Sequence, residues 1–382
     1  MVRTALALVT TCWLAVPSLA DEAAPKASVG TTGLNLRRID RGSQAGKQSA
    51  EQSFTFDLGR RYRVKYRVVV DPAQPDKVAT GEGAVGLPTP CSCNWYHSGF
   101  LFVRINGKSI GKVRLRDGYV CETGQRAIAD LVWDTPEAAV RLRFAGLPRD
   151  DKLFCEIAID PKVEVKELAI KLRCYPSFFT AHHKRKGDRK IKTPAATFNQ
   201  GQNVKLPAAE HWYGAYYDTI FDVAKGEGEG PCAMMFVPEP VKELRFNVGS
   251  YAVDTNLICK PDARTVRLAL WEFPKVVNAD VLAAFDKQAD AWQQQLKTLD
   301  FTPTIVSTFD AKAELAALAK LAAPAEVRKK LGAKADEYRK RIEAIAASGD
   351  TPGILQQTDL LTFVAAYREF VWELKLAGLL VE

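Results

Sequence analysis

From residue 60 to residue 70 the chain alternates without a break. Tyr62, Val64, Tyr66, Val68 and Val70 fall on one side, and Arg61, Arg63, Lys65 and Arg67 on the other. Successive side chains of a β-strand point to opposite faces, so this is a strand with one apolar and one cationic face. The apolar face has to be buried against a second layer. Residues 53–58 alternate as well. Residues 100–105 and 108–116 flank Asn106-Gly107, a pair suited to a type I′ turn because both central residues take positive φ. Further strands are expected at 127–132, 139–144, 153–159 and 168–174. Short strands separated by Gly, Pro and Asp predict an antiparallel β-sandwich over 51–176.

A polar, basic loop at 177–205 leads to a second β segment at 206–277. Val165-Lys166-Glu167-Leu168 recurs there as Val241-Lys242-Glu243-Leu244, and Ile170, Leu172 and Tyr175 then match Phe246, Val248 and Tyr251. A duplicated sandwich is one reading of this, and chance is the other. After Pro274 the period lengthens. Val281, Phe285, Trp292, Leu296 and Leu299 make one helical stripe, and Val327, Leu331, Tyr338, Ile342 and Ile345 make another. Residues 278–382 therefore predict a bundle of three or four helices, one of them short at 310–323. Pro324 suits a first turn, and Gly349 and Pro352 separate the last two helices. The fold class is α+β and multidomain.

Arg3, an apolar run at 5–16, and Ser18 and Ala20 before Asp21 have the layout of a secretory signal peptide at 1–20. The run is too short to span a bilayer, and no later stretch is long and apolar enough to do so. Residues 21–50 lack apolar periodicity and read as a flexible leader. The expected location is secreted or periplasmic. In an oxidising compartment Cys91, Cys93, Cys121, Cys155, Cys174, Cys232 and Cys259 default to disulfides, with at least one thiol left over. The expected pairs are Cys155–Cys174 and Cys232–Cys259, with Cys121 joined to Cys91 or Cys93.

The net charge of +8 is unevenly placed. Residues 278–382 hold 13 Lys/Arg against 15 Asp/Glu, so the excess of bases lies in the β part. Arg61, Arg63, Lys65 and Arg67 share a strand face, as do Lys112, Arg114 and Arg116, then Arg141 and Arg143, then Lys171 and Arg173. Side by side, such faces form a basic plateau whose self-repulsion a polyanion relieves. Scattered, they are solvated faces that discourage edge pairing. The run His182-His183-Lys184-Arg185-Lys186, continued by Arg189, Lys190 and Lys192, reads as a basic arm or a solvated loop. Export makes nucleic acid a poor partner and an acidic polysaccharide or anionic envelope surface a better one.

Glu210-His211-Trp212-Tyr213 and Tyr216-Tyr217-Asp218 form the densest aromatic and ionisable cluster. Trp212 and Tyr216 are candidates for stacking on sugar rings. His211, Tyr213, Tyr217 and Asp218 are weak candidates for acid–base work. Packing within a sheet is the plainer reading. Cys91, Cys93 and His97 resemble part of a soft metal site but lack a fourth ligand, so no metal is assigned. Gly81, Gly83 and Gly86 have dinucleotide-loop spacing, but Pro88 and Pro90 stand where the fingerprint needs a helix; no cofactor is expected. The reading is an exported, non-catalytic binding or structural protein of the cell envelope. A carbohydrate-active lyase or hydrolase using the His211 cluster, and an assembly subunit that oligomerises through its C-terminal helices, are the alternatives.

Overall fold

The structure is a computed structural model that describes residues 25–178, 187–226, 228–347 and 353–379. The expected signal peptide, the basic run 182–186 and the Gly349 and Pro352 break lie outside the described residues. The strands are β1 (Ser28–Thr31), β2 (Asn35–Arg38), β3 (Gln48–Asp57), β4 (Arg61–Asp71), β5 (Gln74–Thr89), β6 (Leu101–Ile105), β7 (Lys108–Ser109), β8 (Asp117–Glu122), β9 (Ala127–Asp134), β10 (Ala138–Gly146), β11 (Leu153–Pro161) and β12 (Leu168–Cys174), then β13 (Arg189–Lys192), β14 (Thr197–Asn199), β15 (Asn203–Pro207), β16 (Tyr213–Asp218), β17 (Cys232–Phe236), β18 (Val241–Val248), β19 (Val253–Cys259) and β20 (Thr265–Glu272). The helices are α1 (Asn278–Thr298), α2 (Thr304–Thr308), α3 (Ala311–Leu321), α4 (Ala325–Ala347) and α5 (Ile354–Leu379).

Every strand pairing is antiparallel, and the strands form two sheets. The first has eleven strands in the order β1-β3-β4-β5-β6-β12-β19-β18-β15, with β2 added beside β3 and β7 beside β6. The second has nine, in the order β14-β13-β16-β17-β20-β11-β10-β9-β8. The apolar face of β4, from Tyr62 to Val70, meets the inner faces of β9, β10 and β11 in one continuous core. The expected two β segments are therefore one body: β20 pairs with β11, and β19 with β12. The repeated segments do not mark two sandwiches. They become β12 and β18, the two neighbours of β19 in a single sheet.

Among the described residues the α-helices pack on the second sheet. Helix α1 packs across β16, β17 and β20, with Phe285 against Tyr213, Trp271 and Trp292. The expected C-terminal bundle is present as α3, α4 and α5 with the short α2, while α1 packs on the sheet instead. The N-terminal half of α5 lies on β8, β10 and β11. Strand β10 is consequently buried at every position, as is usual for a strand covered on both faces. Arg141 and Arg143, expected on a cationic outer face, are buried beneath these helices. Arg143 makes two bonds of 2.7 Å to Asp130 and donates to the Phe301 carbonyl. Arg141 meets Glu156 at 3.1 Å and Gln357 at 2.6 Å.

Three further expectations are corrected. Residues 28–31 and 35–38 of the supposed leader are strands, hydrogen-bonded to β3. The Asn106-Gly107 turn forms with φ of 51° and 77°, but its return strand is two residues long. Ser109 then caps a short 3-10 turn, so Lys112, Arg114 and Arg116 share no strand face. All seven described cysteines are free. Strand placement explains why the expected pairs fail. Cys155 sits mid-strand opposite Leu268 in the second sheet, while Cys174 ends β12 in the first, opposite Val253. Cys259 lies at the far end of β19 from that point, whereas Cys232 contacts the Cys174 thiol across the core.

Candidate functional site

The outer face of the first sheet is free of helices among the described residues, and its residues follow from the register. Arg67 stands level with Ala84 on β5, Phe102 with Lys171, Lys171 with Asn256, Asn256 with Arg245, and Arg245 with Lys205. The parallel row through Lys65 and Gly86 is continued by Arg173, Asp254, Asn247 and Asn203. The expected plateau is therefore partly present: the β4 set and the β12 set share one face. Many of its arginines are matched by carboxylates. Arg61 meets Asp57, Arg67 meets Glu51, Arg104 meets Glu82 and Arg245 meets Glu243. Arg173 holds Asp254 through bonds of 2.7 and 2.9 Å. Arg63, Lys65 and Lys171 have no ion-pair partner among the described residues. Lys171 lies 4.7 Å above the Phe102 ring. Burial lowers its pKa; the nearby Asp254 and Glu82 charges oppose the shift, and Arg173 and Arg104 add to it.

Other members of the predicted set leave this face. Arg114 is bound to Asp76 at 2.7 Å, and Lys112 donates to the Gly81 carbonyl. Arg116 faces Asp117, Asp134 and Asp359, the last of these on α5. These are structural tethers.

A wall of rings rises at one end of the face. Residues 91–99 leave β5 and fold back over it. A Cβ on Gly86 would lie 2.0 Å from the His97 carbonyl carbon's oxygen, so only glycine admits that crossing. This brings Tyr96 to 4.9 Å from Tyr175, and Tyr175 to 5.2 Å from Tyr251. His97 packs 4.7 Å from Tyr96. Its Nδ1 lies 3.0 Å from the Ser92 carbonyl oxygen, which accepts only, so Nδ1–H donates to it, and in the neutral ring Nε2 is left as the acceptor. Burial and the neighbouring Tyr251 hydroxyl push the Tyr175 phenol up. Rings, a bidentate Arg173–Asp254 pair, the Asn256 and Asn247 amides and the unpaired cations thus share one open surface. Sequence reasoning missed Tyr96, Tyr175, Tyr251 and Phe102. One signal was present: Phe102 is aromatic at a position where the alternation Leu101, Val103, Ile105 assigns the outer face.

The His211 cluster does not converge on this surface. His211 is buried, with Nδ1 2.8 Å from the Thr193 hydroxyl, and burial lowers its pKa. Tyr213 packs under α1, and its pKa rises to about 12 through burial. Tyr216 points into the core and bonds Thr255 at 2.8 Å. Trp212 is half-buried against Tyr213. Tyr217 is half-buried, and Asp218 is buried, accepting from the backbone of Asp188 and Ile220. The two thiols of the Cys91-Ser92-Cys93 loop face different neighbours. Cys91 Sγ is 3.8 Å from the Glu229 carbonyl, and Cys93 Sγ is 3.7 Å from His97. Burial lifts the Cys93 pKa to about 11. Among the described residues no group of three or more His, Cys, Asp or Glu is arranged to hold a metal. A cleft of about 620 Å³ between β20 and the end of α1 is lined by charges paired with one another, Arg267 with Glu156 and Lys297 with Glu239.

No family model matches the chain, and no curated protein matches it. Several solved structures resemble it at low similarity. A GH36 alpha-galactosidase from Geobacillus stearothermophilus is 10% identical over 62% of this chain, with a TM-score of 0.29. This chain covers 40% of that protein's length. A protein assigned as an aldose 1-epimerase from Klebsiella pneumoniae is 11% identical, over 69% of this chain and 95% of its own, with a TM-score of 0.35. A chondroitinase AC lyase is 9% identical, over 62% of this chain and 37% of its own, with a TM-score of 0.36.

Proposed function

We propose that this is an exported protein that binds an acidic saccharide polymer along the outer face of its first sheet. The observation that carries the reading is the composition of that face. Arg63, Lys65 and Lys171 lack carboxylate partners among the described residues; Lys171 stands over Phe102, and the Tyr96, Tyr175 and Tyr251 wall closes one end of the same face. Aromatic faces stack on the apolar faces of sugar rings, and unpaired cations attract the sugar's carboxylates. Strands β4 and β12 are three strand spacings apart, roughly 14 Å, so an extended polymer rather than one monosaccharide engages both.

The test is retention on immobilised polygalacturonate, with neutral dextran as control. Binding falls steeply from about 0.05 to 0.5 M salt as screening shortens. The triple variant Arg63→Ala, Lys65→Ala, Lys171→Ala loses at least about tenfold in affinity, about 1.4 kcal/mol. Salt-insensitive retention, or full affinity in the triple variant, refutes the reading. One observation favours a catalytic version of the same site. His97 Nε2 is an acceptor beside Tyr96, a geometry suited to removing a proton. Shortening of the polymer by the native protein, abolished in His97→Ala, would establish it.

A further inference from the structure

The last two turns of α5 carry an apolar stripe that nothing described in the chain covers. Trp372, Leu376 and Leu379 are spaced by four and three residues, so they share one side of the helix. They are 66%, 58% and 69% exposed. The opposite side of the same turns, through Tyr367, Phe370 and Leu374, is buried against α3 and α4. A helix apolar on two sides needs a partner on each. Beside the stripe lies a groove of about 380 Å³, lined by Ile305, Phe309, Leu321, Val364, Val371 and Trp372.

The charges that flank the stripe indicate what covers it. Arg368 and Lys375 run along one edge, on the groove side, and Glu369 stands on the other edge. Lys375 also lies 5.4 Å from the Trp372 ring centroid, and Glu373 further round is tied to Lys334 at 2.6 Å. A two-fold axis parallel to the helix places the basic edge of each copy against the acidic edge of the other. An antiparallel pair would set like charge against like. We infer that the partner is a second copy of this chain, joined α5 to α5 in parallel, with apolar side chains of each stripe entering the groove of the other.

The test is light scattering of the full-length chain at up to about 100 μM, well above the micromolar Kd expected for so small an interface. The expected mass is twice the 42.2 kDa of one chain. Leu376→Glu reduces it to one chain while far-UV circular dichroism and Tm stay unchanged. Arg368→Glu alone and Glu369→Arg alone each weaken the dimer, and the two together restore it. A monomeric native protein, or a Leu376→Glu variant that still dimerises, overturns the inference. Failure of the double charge swap to restore a dimer that both single swaps weaken overturns the parallel arrangement.

Discussion

Glu272 is the sharpest thermodynamic handle in the molecule. It ends β20 fully buried, opposite Cys232 on β17. The Cys91 N–H donates to its Oε2 at 2.5 Å, while Oε1 has no hydrogen-bond partner. Burial raises its pKa well above the ordinary glutamate range, and the nearby Glu229 charge adds to this against the bonds from Cys91. In the unfolded chain the group ionises normally. Between the two pKa values the folded state therefore holds a proton that the unfolded state has released, and stability falls as pH rises through that window. The slope is about 1.4 kcal/mol per pH unit. Glu272→Gln removes the titration and keeps an oxygen for the Cys91 N–H. Its amide NH₂ replaces the unpartnered Oε1, a penalty of about 1–3 kcal/mol that does not depend on pH. The variant is thus expected to gain on the native protein as pH rises from the ordinary glutamate value towards the raised one, at up to about 1.4 kcal/mol per pH unit, whatever the offset. Urea unfolding of both proteins at half-unit pH steps measures this directly. A difference that stays flat with pH would show that Glu272 is ionised in the folded protein, and would refute the reasoning.

The other expectations concern the sheet–helix seam and the open face. Arg143→Met strands the buried Asp130 carboxylate, so it should destabilise the protein by about 3–5 kcal/mol in urea titrations, with much of the loss regained in Arg143→Met, Asp130→Leu. Phe285→Ala opens a cavity among Tyr213, Trp271 and Trp292 and should cost about 3–5 kcal/mol, read as an earlier unfolding midpoint. Burial lowers the Lys171 pKa, so retention on polygalacturonate should begin to weaken at a lower pH than ordinary lysine ionisation gives; Lys171→Met should abolish that step in the pH profile. His211→Ala should leave glycan retention unchanged, because the ring is buried beside Thr193 away from the open face.

Strands were legible where a wet face alternates cleanly with an apolar one, and the Gly-rich β5, which does not alternate, was missed. Residues 60–70 alternate because β4 separates core from solvent, and 168–174 read correctly for the same reason. The signal fails where both faces are covered. Strand β10 shows Arg141 and Arg143 at outer positions, and alternation alone cannot distinguish an arginine in water from one closed over by α5 and the chain at Phe301. Local pattern also says nothing of distant partners. The leader gave no periodicity because β1 and β2 are short edge additions, held in place by hydrogen bonds to β3 rather than by an apolar stripe of their own. Cysteine pairing failed for a related reason: proximity in sequence does not predict which sheet, or which end of a sheet, a strand will carry its thiol to.

The candidate site was half legible, and the missing half was topological. The cationic rows of β4 and β12 were visible as residues, but their neighbourhood depends on β5 and β6 lying between them. The tyrosine wall was visible only as a coincidence of the repeat, in which Tyr175 and Tyr251 match. The structure gives that match a spatial meaning. Strands β12 and β18 flank β19, so the residues that follow their equivalent ends converge, and the two rings meet at 5.2 Å. A repeat of this kind supplies paired aromatics at one end of a sheet without any motif. Carboxylates then decide which cations remain available. Seven of the arginines first read as a surface, Arg61, Arg67, Arg114, Arg116, Arg141, Arg143 and Arg173, are matched by acids. On the proposed reading an acidic polymer would meet Arg63, Lys65 and Lys171 instead, and nothing in the sequence separates these three from the rest.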